Sequence, residues 1–329
     1  MMTIQPIKNE AGYDAALAQI VAHWSIPAIT AITAIDERRP LFKIGTVGAS
    51  YILKDISDNP DLRRLEFRRS VLAHVARQSL RVPVPLLSQS ERIAVQWEGR
   101  FYLLTDYIEA DTYHDDPALQ SELFYHTGQA IAQLHQALAA YPNTELSHKT
   151  WREDLAGGVA KWIAALVDGL PTQQAAVVER VSLLRGAAIE AALRDLPEQL
   201  IHRDCHPGNI LVQETQVIGF IDCDHICIGP RIFDVAYYAV HHLKWVTDDE
   251  AATQRWLRNL PQLLRGYMSQ QMLEAAEIIA LPSAMMAYHL LLAHWFLRGS
   301  KHESIALEVQ ALDWLDRNYQ SVSAAIAQG

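Results

Sequence analysis

The most constraining stretch of the sequence is residues 199–224, where polar side chains stand between short apolar runs. These runs cover residues 200–201, 210–212 and 217–221. Short apolar, β-branched runs bounded by polar turns predict a buried hairpin. Such a hairpin would hold three oxygen-bearing side chains in one cleft, those of Asp204, Asn209 and Asp222.

This set of side chains indicates a particular chemistry. Two carboxylates and an amide in one cleft can hold a divalent cation and activate a hydroxyl group. The pattern is His-x-Asp-x4-Asn, followed thirteen residues after Asn209 by Asp222. The alternative interpretation is a buried polar hairpin whose hydrogen bonds are satisfied without a metal.

The segment IHRDCHPGNIL…GFIDCD resembles the HGDxHPGNxL…xIDxD segment of the aminoglycoside phosphotransferase and choline kinase group. Type II homoserine kinases and bacterial stress-response kinases share it. The resemblance implies an α+β, bilobal protein-kinase-like fold. Residues 1–108 would form a small N-lobe, an antiparallel sheet plus one helix that binds ATP. Residues 109–329 would form a large, mainly helical C-lobe with the catalytic hairpin and the acceptor pocket.

The resemblance also implies catalytic roles. Asp204 would accept a hydrogen bond from the attacking hydroxyl and orient it toward the γ-phosphate of ATP. His202 would brace the loop by hydrogen bonding to the backbone. Asp234, in a segment similar to the family's GP…yDla, would support the same loop.

For the metal, the resemblance implies Mg²⁺ held by Asn209 and Asp222. Oxygen ligands of this kind suit a hard cation. Asp224, two residues beyond Asp222, would project to the same side of a strand. It is a further candidate for a metal ligand or a contact to the acceptor.

Strand-like runs between residues 28 and 56 predict an antiparallel sheet, with a turn at 45–48. Lys54 ends the last of these runs. A lysine there is common at the edge of a sheet. The resemblance instead implies contact with the α- and β-phosphates of ATP.

A helix is predicted over residues 60–78, and Glu66 is the acid within its central turns. We expect Glu66 to pair with Lys54 and direct it to the phosphates. The alternative is an intrahelical pair with Arg63 or Arg69.

The strand over 100–107 resembles the one that leads into the interlobe hinge, which we place at 105–109. Backbone groups there would bind the adenine edge, so Thr105 and Tyr107 are candidate nucleotide contacts. The glycine-rich loop of protein kinases is missing, because residues 35–39 contain no glycine. Arg38 or Arg39 could contact phosphate instead.

A zinc site is the rival inorganic interpretation. Five potential ligands cluster in sequence: Cys205, His206, Cys223, His225 and Cys227. Their spacing lacks the order typical of zinc sites. We therefore favour free, buried cysteines.

Bulk properties narrow the class of protein. The net charge of −10 argues against nonspecific nucleic-acid binding. Three cysteines give no disulfide framework, and the N-terminal sequence lacks a signal-peptide pattern. We expect a cytoplasmic monomer or homodimer without a membrane partner. The uncharged run over 278–296 is long enough to span a bilayer, but we interpret it as a buried core helix.

The leading hypothesis is an ATP- and Mg²⁺-dependent phosphotransferase whose acceptor is a small-molecule hydroxyl. Amino alcohols, homoserine-like metabolites and aminoglycoside-type antibiotics are the candidate acceptors. One alternative is a stress-response-type protein serine/threonine kinase, which Arg203 favours but the short span from Asp222 to Arg231 does not. A non-catalytic nucleotide-binding protein is the other.

Overall fold

The computed structural model describes residues 10–36, 40–58, 60–78, 80–111, 113, 116–142 and 155–329. Contacts divide the chain into two compact units, Met1–Glu109 and Ala110–Gly329. Arg38 and Arg39, proposed as phosphate contacts, lie outside the described residues. The assignment of ATP binding to the first unit and acceptor binding to the second stays a prediction.

The first unit contains a five-stranded antiparallel sheet with the strand order β1-β2-β3-β5-β4. The strands are β1 (Ile29–Asp36), β2 (Leu41–Thr46), β3 (Ser50–Asp55), β4 (Val95–Trp97) and β5 (Arg100–Asp106). The predicted turn joins β2 to β3. Gly48 has a φ of 86° there, a backbone conformation that glycine adopts without steric cost.

Two helices, α1 (Glu10–Val21) and α2 (Leu62–Ala76), pack against this sheet. Strand side chains alternate between the faces of a sheet. Leu53 and Leu104 therefore join the apolar cluster that contains α1, and Leu103 joins the cluster with Leu65 of α2. The predicted sheet and its helix α2 are both present, and α1 covers the face of the sheet that α2 leaves open.

The second unit is mainly helical. Its helices are α3 (Gln120–Ala139), α4 (Leu155–Gly169), α5 (Thr172–Val181), α6 (Ala187–Arg194), α7 (Ile232–Leu243), α8 (Glu250–Met268), α9 (Ala275–Arg298), α10 (His302–Arg317) and α11 (Tyr319–Ile326). A π-helical turn, Ser182–Gly186, joins α5 to α6.

Helix α9 contains the apolar run that is long enough to cross a membrane. Two thirds (67%) of the residues in its apolar window are buried inside the protein. It packs against α4, α6, α7 and α10. This burial is what a core helix shows, in agreement with the interpretation from the sequence.

Helices α3 and α8 approach closely through two glycines. A Cβ atom on Gly128 of α3 would lie 2.0 Å from the carbonyl oxygen of Leu263. A Cβ atom on Gly266 of α8 would lie 1.9 Å from that of Tyr125. Both contacts are to backbone, so neither neighbour can move aside as a flexible side chain would.

Two short ribbons carry the polar segment. Strands β7 (Ile210–Gln213) and β8 (Gln216–Phe220) form a hairpin. Strand β6 (Glu198–Ile201) pairs with β9 (Cys227–Pro230). The run at 200–201 therefore lies outside the hairpin that the sequence predicted.

Candidate active site

The loop after β6 is held by Asp234, in the first turn of α7. Its carboxylate is fully buried. It accepts the backbone N–H of His202 at 2.8 Å and that of Arg203 at 2.7 Å. Two consecutive amides on one carboxylate fix the backbone just before Asp204.

Asp234 is itself held by His135 of α3. The Nε2 of His135 donates to Asp234 Oδ2 at 3.0 Å, and its Nδ1 lies 2.8 Å from the Tyr267 hydroxyl. Burial opposes ionisation of Asp234, but its hydrogen bonds with His135 and with the backbone N–H of His202 outweigh this effect and hold its pKa below the ordinary 3.8. A charged carboxylate thus anchors the loop.

His202 uses both ring nitrogens within the loop. Its Nε2 donates to the carbonyl oxygen of Ile221 at 3.1 Å, and its Nδ1 accepts the N–H of Asp204 at 3.2 Å. These partners require the neutral ring with its proton on Nε2. The contacts fit a bracing role and leave no nitrogen for proton transfer.

Asp204 and Asn209 are brought together at the end of this loop. The Nδ2 of Asn209 donates to the carboxylate Oδ2 of Asp204 at 2.8 Å and to its backbone oxygen at 2.9 Å. The side chain of Asp204 is 22% exposed, so solvent reaches it. A base for a hydroxyl substrate has to be accessible and held in a fixed orientation. The carboxylate of Asp204 is accessible, and the amide of Asn209 orients it.

Asp222 follows β8 in a left-handed conformation, with a φ of 52°. Such a backbone is uncommon outside glycine and is concentrated at functional sites. Residues Cys223–His225 then form a 3₁₀ turn. Asp222 and Asp224 are therefore not two residues apart on a strand, and the strand geometry on which the expectation of a shared side rested is absent.

The zinc interpretation finds no support. The three cysteines are free and buried. In the part of the chain that the structure describes, no three His, Cys, Asp or Glu side chains are grouped as metal ligands. Asp204, Asp222 and Asp224 are among these described residues and do not form such a group.

In the first unit, Lys54 lies on β3 opposite Leu103 of β5. Because side chains alternate along a strand, it shares the face of the sheet on which Leu65 of α2 packs. Glu66 is exposed on α2. The pairing of Lys54 with Glu66 stays a prediction.

The backbone of β5 is largely used by the sheet. Thr105 pairs with Ile52 on one side and with Pro85 on the other, and the N–H of Tyr107 donates to the Ser50 carbonyl at 2.9 Å. The N–H of Tyr107 is therefore not available to a nucleotide base. Within the predicted hinge, the segment after Tyr107 leaves the sheet, which favours residues 108–109 as the backbone contacts.

Sequence reasoning missed Tyr237 and His241 near Asp204, and it named the side chain of His206 only as a candidate zinc ligand. The pKa of the Tyr237 phenol is raised by burial and then by the charge of Asp204 and a hydrogen bond with it. The rings of His206 and His241 are stacked, with centroids 5.2 Å apart. A signal existed, because Tyr237 follows Asp234 by three residues and His241 follows Tyr237 by four, which places them on one face of α7.

Arg203 departs from the glycine of the related motif, and its backbone shows why glycine suits this place. Its φ is 71°, in the left-handed region. Its carbonyl oxygen accepts the hydroxyl of Tyr288, on α9, at 2.7 Å. The loop conformation is thus fixed from α7 and from α9.

The fold and the loop define a protein-kinase-like phosphotransferase. Its marks are a five-stranded antiparallel sheet, a mainly helical second unit and a loop in which an Asp and an Asn are in contact. The model of the phosphotransferase enzyme family APH matches residues 32–268, more than two thirds of the chain. The chain belongs to this family. It is a kinase that acts on a small-molecule hydroxyl.

Known proteins resemble the chain over most of its length. A homoserine kinase of Methylobacterium radiotolerans is 27% identical over 275 residues, 82% of this chain and 80% of that protein. One of Rhizobium meliloti is 25% identical over 274 residues, 81% of this chain and 78% of that protein.

Solved structures share the fold. A microcompartment-associated aminopropanol kinase has a TM-score of 0.70 at 17% identity, covering 94% of this chain and 98% of that one. An amicoumacin kinase in complex with AMP-PNP and Ca²⁺ has a TM-score of 0.68 at 16% identity, covering 93% and 96%.

Proposed function

We propose that the protein transfers the γ-phosphate of ATP, with Mg²⁺, to the hydroxyl of a small amino alcohol in the cytoplasm. L-Homoserine is the first acceptor to test. The observation that carries the proposal is the accessible Asp204 carboxylate, oriented by Asn209 on a loop that Asp234 anchors. The homoserine kinases among the relatives support the choice of acceptor.

Asp204 orients the acceptor and takes its proton. The hydroxyl oxygen forms a bond to the γ-phosphorus, and the bond from that phosphorus to the oxygen bridging to the β-phosphate breaks. ADP leaves with the electron pair, and the hydroxyl proton passes to the Asp204 carboxylate. Positioning of this kind provides most of the catalysis in phosphoryl transfer.

Asn209 and Asp222 are the residues that would hold Mg²⁺. The amide nitrogen of Asn209 is committed to Asp204, which leaves its oxygen, Oδ1, as the atom for a cation. A neutral oxygen and a carboxylate suit Mg²⁺, which also keeps phosphate oxygens and water in its coordination shell. When bound, the ion neutralises charge on the phosphates. Asp224 is retained as a candidate contact to metal or acceptor.

The nucleotide contacts that we propose in the first unit are Lys54, Glu66 and the hinge residues Thr105 and Tyr107. Lys54 would bind the α- and β-phosphates and Glu66 would orient it. At the hinge, the hydrogen bonds within the sheet favour backbone groups after Tyr107 over its own N–H.

A small acceptor is favoured over a protein. Residues 223–230, where protein kinases carry a regulatory loop, are occupied here by the 3₁₀ turn and strand β9. No long segment intervenes before α7.

The test is release of ADP with a panel of acceptors: L-homoserine, 1-amino-2-propanol, choline, kanamycin and a serine-rich protein. We expect turnover with a small amino alcohol. Asp204→Asn should lower kcat by a factor of about 100 or more. It should keep the rise in Tm that ATP and Mg²⁺ cause in the wild type, because nucleotide binding is separate from proton removal.

The matched control is Asp168→Asn, an exposed carboxylate at the end of α4. Its kcat should equal that of the wild type. Full activity of Asp204→Asn would contradict the assigned base. If only the serine-rich protein in the panel is phosphorylated, the proposed class of acceptor, a small molecule, would be wrong.

A further inference from the structure

The ring of His206 has a fixed orientation beside Asp204. Its Nδ1 accepts the backbone N–H of Gly208 at 3.1 Å. A nitrogen that accepts carries no hydrogen, so the proton of the neutral ring is on Nε2. That N–H faces the Asp204 carboxylate.

The two groups do not bond to each other. The distance from His206 Nε2 to Asp204 Oδ2 is 3.8 Å, longer than any hydrogen bond. Their side chains are 26% and 22% exposed, so the space beside them is open to solvent. One oxygen atom placed about 2.8 Å from each would bridge the donor and the acceptor.

Helix α7 keeps the His206 ring in place. His241 stacks on it, with the ring planes 14° apart, and Tyr237 packs edge-on at a centroid distance of 5.7 Å. Burial raises the pKa of the Tyr237 phenol, and the nearby charge of Asp204 raises it further. The donor on His206 and the base on Asp204 are thus positioned by the same helix.

The geometry points to His206 as a further catalytic residue, the donor that receives the acceptor hydroxyl. This inference rests on the proposed function. The Nε2–H of His206 donates to one lone pair of the hydroxyl oxygen, while the hydroxyl hydrogen donates to Asp204 Oδ2. The second lone pair remains for attack on phosphorus, and the proton moves to Asp204 as that bond forms.

The arrangement also selects which end of an amino alcohol reacts. A protonated amine has no lone pair and cannot accept from His206 Nε2–H, whereas a hydroxyl both donates and accepts. The site would therefore bind the hydroxyl end of the acceptor beside Asp204 and reject the ammonium end there.

Paired ligands test this role directly. L-Homoserine differs from L-2-aminobutyrate, and 1-amino-2-propanol from propylamine, only by the hydroxyl. With AMP-PNP and Mg²⁺ present, calorimetry should show the wild type binding the hydroxyl member of one pair about tenfold more tightly. His206→Ala should bring the ratio close to one. His206→Gln, whose amide nitrogen reaches the position of Nε2, should restore most of it.

His302→Gln is the control, since His302 is exposed at the start of α10. It should keep the wild-type ratio. If both His206 variants keep that ratio, the role of His206 is wrong, but the proposed function is not affected. If the wild type binds neither pair, the proposed function fails with it. Should His206→Ala not fold, a wild-type ratio and wild-type kcat in a variant with His206→Leu would overturn the inference, because leucine fills the space without a donor.

Discussion

At Arg203 the backbone takes a left-handed conformation that side chains with a Cβ adopt at a steric cost. This conformation directs two consecutive N–H groups toward Asp234. It also directs the next side chain, that of Asp204, toward solvent. The arginine side chain is therefore not required for the turn itself.

Two substitutions separate the turn from the side chain. Arg203→Ala and Arg203→Gly both remove the guanidinium, but only glycine relieves the positive φ. We expect Arg203→Gly to be more stable than Arg203→Ala by about 1 kcal/mol in urea unfolding. Equal stability of the two variants would show that the left-handed backbone carries no strain.

Among elements, Asp234 is the junction of α3, α7 and the loop after β6. Asp234→Asn replaces one acceptor oxygen by an NH₂ group that faces a backbone or imidazole donor. A buried donor without an acceptor is costly, so we expect a loss of about 3 kcal/mol in the free energy of unfolding. Chemical denaturation measures it, and Asp168→Asn, on the surface, should change it by less than about 0.5 kcal/mol.

The same carboxylate makes stability depend on pH. The pKa of Asp234 lies below its ordinary 3.8 in the folded protein, and that of Glu308 lies below 4.5: burial opposes this shift, but His289 and Lys244 outweigh it. A depressed native pKa gives stability that is complete above the unfolded-state pKa and is lost as pH falls through the native one.

Burial also lowers the pKa of the imidazoles of His206, His225 and His241, so the unfolded state binds their protons first as pH falls. We therefore expect the Tm to begin to fall below about pH 6.5 and to fall further below about pH 4, where the carboxylates titrate. The fall should be shallower in Asp234→Asn, which has lost one titrating group. A Tm that rises on acidification would contradict the assigned sign.

The crossing of α3 and α8 gives a prediction about packing. Gly266→Ala places a methyl group against the backbone of Tyr125 and should cost about 3 kcal/mol, because the helices have to separate. Gly299→Ala is the matched control, since its nearest neighbour would be 3.6 Å away. Equal stability of the two variants would show that the crossing is loose.

At the scale of elements, local pattern predicted much of the structure. The strand-like runs of β2 and β3 and the turn at Gly48 are visible in the sequence because each follows from neighbouring residues. The pairing of β6 with β9 was not visible, since register between distant strands depends on tertiary packing. The left-handed backbone of Asp222 was not visible either. The sequence analysis had expected the strand before it to continue to Asp224.

For the whole molecule, the motif around residues 199–224 identified the class of enzyme, and the family match bears this out. The site was only partly predictable. Asp204 and Asn209 are only five positions apart, and their side chains are in contact. The contact between His135 and Asp234 joins residues 99 positions apart, so local pattern could not predict it. The stack of His206 on His241 likewise needs the folded chain.

Burial of the thiols predicts a further property of the whole fold. The pKa of the Cys205 thiol is raised well above its ordinary value by burial and by the charges of Asp234 and Asp204. All three cysteines are buried, so a disulfide reagent such as DTNB should label none in the native protein and all three in urea. Rapid labelling of one thiol in the native protein would contradict this packing.

The anchoring of two consecutive amides on a buried carboxylate has a consequence for how the catalytic loop opens. The N–H groups of His202 and Arg203 cannot leave Asp234 without removing two hydrogen-bond donors from a fully buried carboxylate, which is costly. Their deuterium uptake should therefore be as slow as that of core helices, although Asp204 beside them is open to water. The base would then stand on a solvent-accessible loop whose backbone opens as rarely as the core.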